Sequence, residues 1–119
     1  MIVAIDHVQL AMPPGGEGRA REFYAGVLAL VEVAKPAHLA ARGGCWFENA
    51  TVRVHLGVER EFQPARKAHP AFRVGELASL VARCRDHGAT VYDEEQREGE
   101  RRAYVDDPFG NRIELIEPL

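Results

Sequence analysis

Cysteine is scarce in this 119-residue chain, and long apolar runs are missing altogether. The two cysteines, Cys45 and Cys84, lie far apart and show no Cys-x-x-Cys spacing, so they read as two reduced thiols. No stretch approaches the length of a membrane span, and the opening MIVAIDHVQL has neither the basic segment nor the apolar run of a signal peptide. The expected address is the cytoplasm. An excess of one charge is also lacking: 15 Lys and Arg against 18 Asp and Glu leave a net charge of −3, which gives no reason to expect a nucleic-acid partner.

What is present is a 46% hydrophobic content, enough to build a core without disulfides. The length fits one domain, or two halves sharing one core. The hydrophobic pattern runs through the same plan twice. IVAIDHVQLAM alternates like a strand, and after the breaker PPGG the segment from Glu17 to Leu28 spaces Ala20, Phe23, Tyr24 and Val27 as an amphipathic helix. CWFENATVRVHLGVE then reads as a hairpin turning at ENAT. The polar, proline-containing segment 59–68 is the natural linker. Beyond it HPAFRV is a short strand, and Glu76 to His87 is a helix with Leu77, Leu80, Val81 and Cys84 on one stripe and Gly88 as its C-cap. ATVYDE and the hairpin RRAYVDDPFGNRIELIE complete the second half. Module one is therefore about 1–58 and module two about 69–119, an internal repeat of too few copies for a solenoid.

Alternation along a strand sorts side chains onto two faces. Apolar parity puts Val8, Leu10 and Met12 on the helix side of the first strand, leaving His7 and Gln9 opposite. In the same way Val54 and Leu56 leave Arg53 and His55, Phe72 and Val74 leave His69 and Arg73, and Ile113 and Leu115 leave Arg112 and Glu114. Each half thus offers one candidate at its opening strand and one at its closing strand: His7 with His55, and His69 with Glu114. Imidazole nitrogens with a carboxylate suit a first-row divalent ion and leave positions open for substrate. A solvated polar face accounts for any one of these residues taken singly.

The segments HVQLAM, REFYAGVLAL, HPAFRV and above all YVDDPFGNRIELIEP give the chain a close similarity to the vicinal oxygen chelate superfamily. That group includes glyoxalase I, extradiol dioxygenases, fosfomycin-resistance transferases and bleomycin-resistance proteins. The resemblance implies an α+β fold of paired βαβββ modules, with a curved mixed sheet forming a trough, helices on its outer face, and commonly a homodimer. It also implies one divalent metal, zinc, nickel, manganese or iron, held by His7, His69 and Glu114, with His55 as a candidate fourth ligand. The metal-dependent glyoxalases usually carry Glu where this chain has His55, so His55 would take over proton transfer. Fosfomycin transferases carry Thr where it has Gln9. Tyr104 stands where extradiol dioxygenases place a tyrosine, and is the candidate acid or substrate-orienting group.

Arg53, Arg73 and Arg112 share the trough-facing parity and suit a carboxylate, a phosphonate or an acidic thiol. The alternative is that they pair with Glu59, Asp106 or Glu117. Trp46 either lines the substrate site or packs in the core. The expected function is that of a metal-dependent lyase, isomerase or ring-cleaving dioxygenase acting on a small oxygen-chelating substrate. The contrasting expectation is a non-catalytic drug- or metabolite-binding protein of the bleomycin-resistance kind.

Overall fold

The computed structural model describes all 119 residues and divides into two compact units, Met1–Gln63 and Pro64–Leu119. The fold is α+β, with one four-stranded mixed sheet in each unit.

In the first unit the strands are β1 (Val8–Met12), β2 (Val31–Val33), β3 (Cys45–Glu48) and β4 (Arg53–Val58), arranged β1-β4-β3-β2. β1 runs parallel to β4, and the other pairings are antiparallel. The alternation that began upstream of His7 predicted a longer first strand. Its pairing starts only at Val8 opposite Val54, because before Arg53 the chain turns away at Asn49, whose Oδ1 accepts the N–H groups of Thr51 and Val52. Residues 1–7 are left exposed and outside the sheet.

The expected first helix is present but not uniform. A short α1 (Glu17–Ala20) runs into a π-helical stretch, Arg21–Val27, in which Leu28 N–H reaches back to Phe23 O at 2.9 Å. Phe23, Tyr24 and Val27 are all buried there, and the Tyr24 ring stacks on Phe47 of β3 at 5.5 Å. β2 and a single turn α2 (Ala37–Ala40) fill the stretch between the first helix and the hairpin. Gly44 closes that region against β4. Its φ is +85°, and a Cβ there would lie 2.1 Å from Leu56 O, so only glycine fits.

The second unit orders β5 (Ala71–Arg73), β6 (Val91–Arg97), β7 (Glu100–Asp106) and β8 (Arg112–Pro118) as β5-β8-β7-β6, with β5 parallel to β8. α3 (Leu77–Asp86) buries Leu77, Val81 and Cys84, while Ala103, Val105, Ile113 and Leu115 are the buried residues of β7 and β8. Its first N–H, at Leu77, donates to Glu117 Oε1 at 2.8 Å. It ends with Ala89 N–H bonded to Cys84 O and Gly88 N–H to Arg85 O, a paired capping in which Gly88 takes φ +79°. The turn Asp-Pro-Phe-Gly-Asn is a polar clasp. Asp107 Oδ1 accepts Phe109 and Asn111 N–H, Asn111 Nδ2 donates to Asp107 Oδ2, and Asn111 Oδ1 accepts Ala65 N–H. Asp107 and Asn111 are buried, and these bonds satisfy them.

Candidate functional site

Within each sheet the register sets the closing strand between the opening strand and its hairpin partner. On β4, His55 lies between Gln9 of β1 and Trp46 of β3. On β8, Glu114 lies between Ala71 of β5 and Tyr104 of β7. His7 precedes Gln9 by two residues, as His69 precedes Ala71. Each unit therefore carries the same four-position pattern, filled differently.

In the first unit the pattern is a stack of rings. His55 lies face to face with Trp46 at 4.0 Å and with His7 at 4.2 Å. Burial, and next the charge of His7, lower the pKa of His55 and favour its neutral form. His7 is half-exposed and its Nδ1 meets Asp6 Oδ1 at 2.9 Å. The Arg53 guanidinium pairs with Asp6 at 3.2 Å and lies 3.8 Å from Glu48. Neither of these partners is among those that the sequence suggested. Gln9 is exposed and its amide covers Gly57, where a Cβ would come within 2.6 Å of Nε2.

In the second unit the pattern is a charged cluster. Glu114 Oε1 lies 3.0 Å from His69 Nε2, while Oε2 accepts from Arg102 Nε at 2.9 Å and Nη2 at 2.8 Å. Burial alone would raise the Glu114 pKa, but the bonds from His69 and Arg102 outweigh it and hold the carboxyl low. Tyr104 presents its ring edge-on to His69 at 5.3 Å and lies under the guanidiniums of Arg102 and Arg112, at 4.5 and 4.9 Å. Arg112 Nε also donates to Tyr92 OH at 3.1 Å, and that hydroxyl donates to Asp106 at 2.7 Å. Arg73 is exposed at the end of β5 and stands outside the cluster.

His69 is held in a way that bears on metal binding. Its Nδ1 lies 2.9 Å from Lys67 O, a carbonyl that only accepts, and its Nε2 faces a carboxylate that also only accepts. Both contacts are favourable when the ring carries two protons, or when Nδ1 keeps its proton and a cation lies between Nε2 and Glu114. The second arrangement is the usual way a backbone carbonyl fixes a metal-ligating imidazole. A separation of 3.0 Å also matches two donors on adjacent positions around an ion with bonds of about 2.1 Å. The pair thus fits a divalent metal as two of its ligands. No group of three or more His, Cys, Asp or Glu able to hold an ion occurs within either unit.

Arg102 is the residue that sequence reasoning missed. It is 3% exposed, and it shares parity with Tyr104 on β7, so the face argument extended to that strand would have found it. Adjacent Arg101 and the charged run before it make the segment look like a solvated loop.

The sequence profile of the glyoxalase-like domain matches residues 15–116. The chain belongs to this family. The glyoxalase-like domain is 44% identical to a protein of the glyoxalase family from Bacillus anthracis, covering 100% of this chain and 98% of that one with a TM-score of 0.92. The fosfomycin resistance protein FosX from Listeria monocytogenes shares the fold at 18% identity, with 100% and 96% coverage and a TM-score of 0.81. An E126Q mutant of the Listeria FosX, solved with Mn(II) and 1S,2S-dihydroxypropylphosphonic acid, matches at 20% identity, 100% and 95% coverage and a TM-score of 0.81. These proteins belong to the vicinal oxygen chelate superfamily. No curated protein matches the chain. No helix is long and apolar enough to cross a membrane.

Proposed function

We propose that this glyoxalase-like domain is a divalent-metal-dependent enzyme acting on a small, anionic, oxygen-chelating substrate. The observation that carries the reading is His69, whose ring lies between two acceptor-only groups, Lys67 O and Glu114 Oε1, 2.9 and 3.0 Å away. His69 and Glu114 would hold the ion, with His7 completing the set as the family resemblance implies. Zinc, nickel, manganese and iron all suit these donors. The Mn(II) of the Listeria FosX structure favours a hard or borderline ion. When bound, the ion supplies Lewis-acid polarisation of a coordinated substrate oxygen.

The chain's own residues do the rest. Arg102 donates to Glu114 Oε2 from both Nε and Nη2, so the carboxylate offers the ion one oxygen only. Tyr104, beside His69, orients a substrate oxygen or gives it a proton. His55, kept neutral, has a lone pair with which to accept one, the role that a carboxylate plays in the metal-dependent glyoxalases. Arg112 adds positive charge next to Tyr104 for an anionic group. The protein would act as a homodimer in the cytoplasm, as its family resemblance and composition suggest.

A second reading, a protein that sequesters its ligand without turnover, is favoured by one observation. Arg102 donates twice to Glu114 Oε2, so this carboxylate already has a cationic partner of the protein's own. Elemental analysis of untagged protein separates the two. One equivalent of metal in the wild type, lost in His7→Ala, His69→Ala and Glu114→Gln, supports the enzyme. Absence of metal after incubation with each of the four ions makes sequestration the better account.

A further inference from the structure

A cavity of about 270 Å³ opens in the first unit, between the 35–43 segment and strands β1, β3 and β4. It is slightly smaller than the pockets of about 300–1,000 Å³ that take drug-sized ligands, so its occupant is small. Lys35 and Arg42 line it together with Gln9, Trp46 and Leu39, and no carboxylate does. The nearest acid, Glu17, accepts the Gly44 N–H at 2.8 Å and is close enough to Lys35 for the two charges to interact, but it takes no part in the lining.

The wall is built rather than draped. Gly43 and Gly44 take φ of +75° and +85°, which lets the segment lie directly on β4, and the Gly44–Leu56 approach admits no side chain. Lys35 Nζ donates to Gly43 O, which ties the two ends of the segment together and leaves two ammonium N–H groups for a ligand. On the floor, Gly57 leaves room for the Gln9 amide to lie across β4. Two cations, one amide and one indole thus surround a space lined by no carboxylate; Glu17 offsets part of the Lys35 charge from outside the lining, and Arg42 has no acid beside it there.

We propose that this cavity binds the anionic head of a small ligand, a phosphonate, phosphate or carboxylate carried on a short apolar or planar body. Lys35 and Arg42 take the charge, Gln9 gives a hydrogen bond, and Trp46 and Leu39 pack on the body. The inference deepens the proposed function, since Trp46 also stacks on His55, but anion binding here does not require a metal.

Trp46 is the only tryptophan of the chain, so its fluorescence reports directly on the cavity. The test is a titration with phenylphosphonate in chelator, with benzyl alcohol as the neutral counterpart. The expected result is a saturable change in the wild type that weakens with salt, and weakens by about tenfold or more in Arg42→Gln and Lys35→Gln, as loss of a charge-assisted bond requires. Arg42 is exposed, so its replacement leaves folding intact even if loss of Lys35 loosens the segment. Glu114→Gln should bind as the wild type does. No saturable change, equal affinity for benzyl alcohol, or an unaltered Arg42→Gln would overturn the inference. Loss of binding in Glu114→Gln but not in Arg42→Gln would move the anion to the Glu114 cluster and overturn it equally. Retained binding in a protein that takes up no metal would sink the enzyme reading while leaving this one standing.

Discussion

Replacing Arg102 with methionine removes the main countercharge of Glu114 while filling most of the same space. The two side chains are 4% and 14% exposed, so the pair is largely withdrawn from water. Breaking a buried pair from one side costs about 3–5 kcal/mol, chiefly because a charge is left without compensation. Glu114 keeps its bond to His69 and some contact with solvent, which places the expected loss nearer about 2–3 kcal/mol. Urea unfolding of metal-free protein measures it, with Glu114→Gln and the double variant completing a cycle that isolates the coupling. The pH dependence supplies a sign. The Glu114 carboxyl is held below its ordinary value of 4.5, so the stability that it contributes is fully present above that value and disappears as pH falls through the lower folded value. The gap between wild type and Arg102→Met should therefore be full near pH 7 and should narrow as pH falls below the ordinary 4.5. A gap below about 0.5 kcal/mol near pH 7, the size of an exposed pair, would refute the reasoning. So would a gap that does not change with acid.

His55 gives a second acid-sensitive window. Its folded pKa lies below the ordinary 6.5, so the stability tied to its neutral ring is present above 6.5 and is lost as pH falls through the folded value; His55→Phe should flatten the fall in Tm over that range. Gly44→Ala should destabilise by more than Gly88→Ala. Both residues have positive φ, a strain of about 1–2 kcal/mol for a side chain, but only at Gly44 does the new Cβ strike a neighbour, and thermal melts of the two variants compare them. Cys45 and Cys84 should resist an aromatic disulfide reagent near pH 8 until the protein is denatured, because both are buried and the Cys45 thiol is pushed up to about 11; fast reaction of either in the native protein would contradict that burial.

Strand parity carried most of what the sequence disclosed. Val54 and Leu56 are buried, as are Ile113 and Leu115, which leaves Glu114 on the other side of its strand, where it meets His69 and Arg102. Period-two alternation is a local property, and it survives without knowledge of the rest of the chain. The features that escaped are those that depend on distant segments. β2 has only three residues and follows Ala29 at φ 61°, so no alternation could announce it. The π-helical stretch keeps its apolar residues at spacings that an α-helix also uses, and its bonding is invisible in the pattern. The partners of Arg53, Asp6 and Glu48, follow from how β1 and β3 flank β4. The turn at Asp-Pro-Phe-Gly-Asn was legible as a turn, whereas its reach across to Ala65 was not.

The matched positions of His55 and Glu114 separate the site's chemistry from the fold's stability. In each sheet the residues that hold the layer together and the residues on the opposite face sit at alternate positions of the same strand, so a replacement at 55 or 114 leaves the apolar face untouched. A repeated module with that property can change its chemistry one unit at a time. The first unit carries stacked rings at these positions, and the second adds a carboxylate and a guanidinium to its imidazole and phenol, on the same strand order. Changing the charge at position 55 by a single codon would test a neighbouring chemistry without first having to solve the folding problem again.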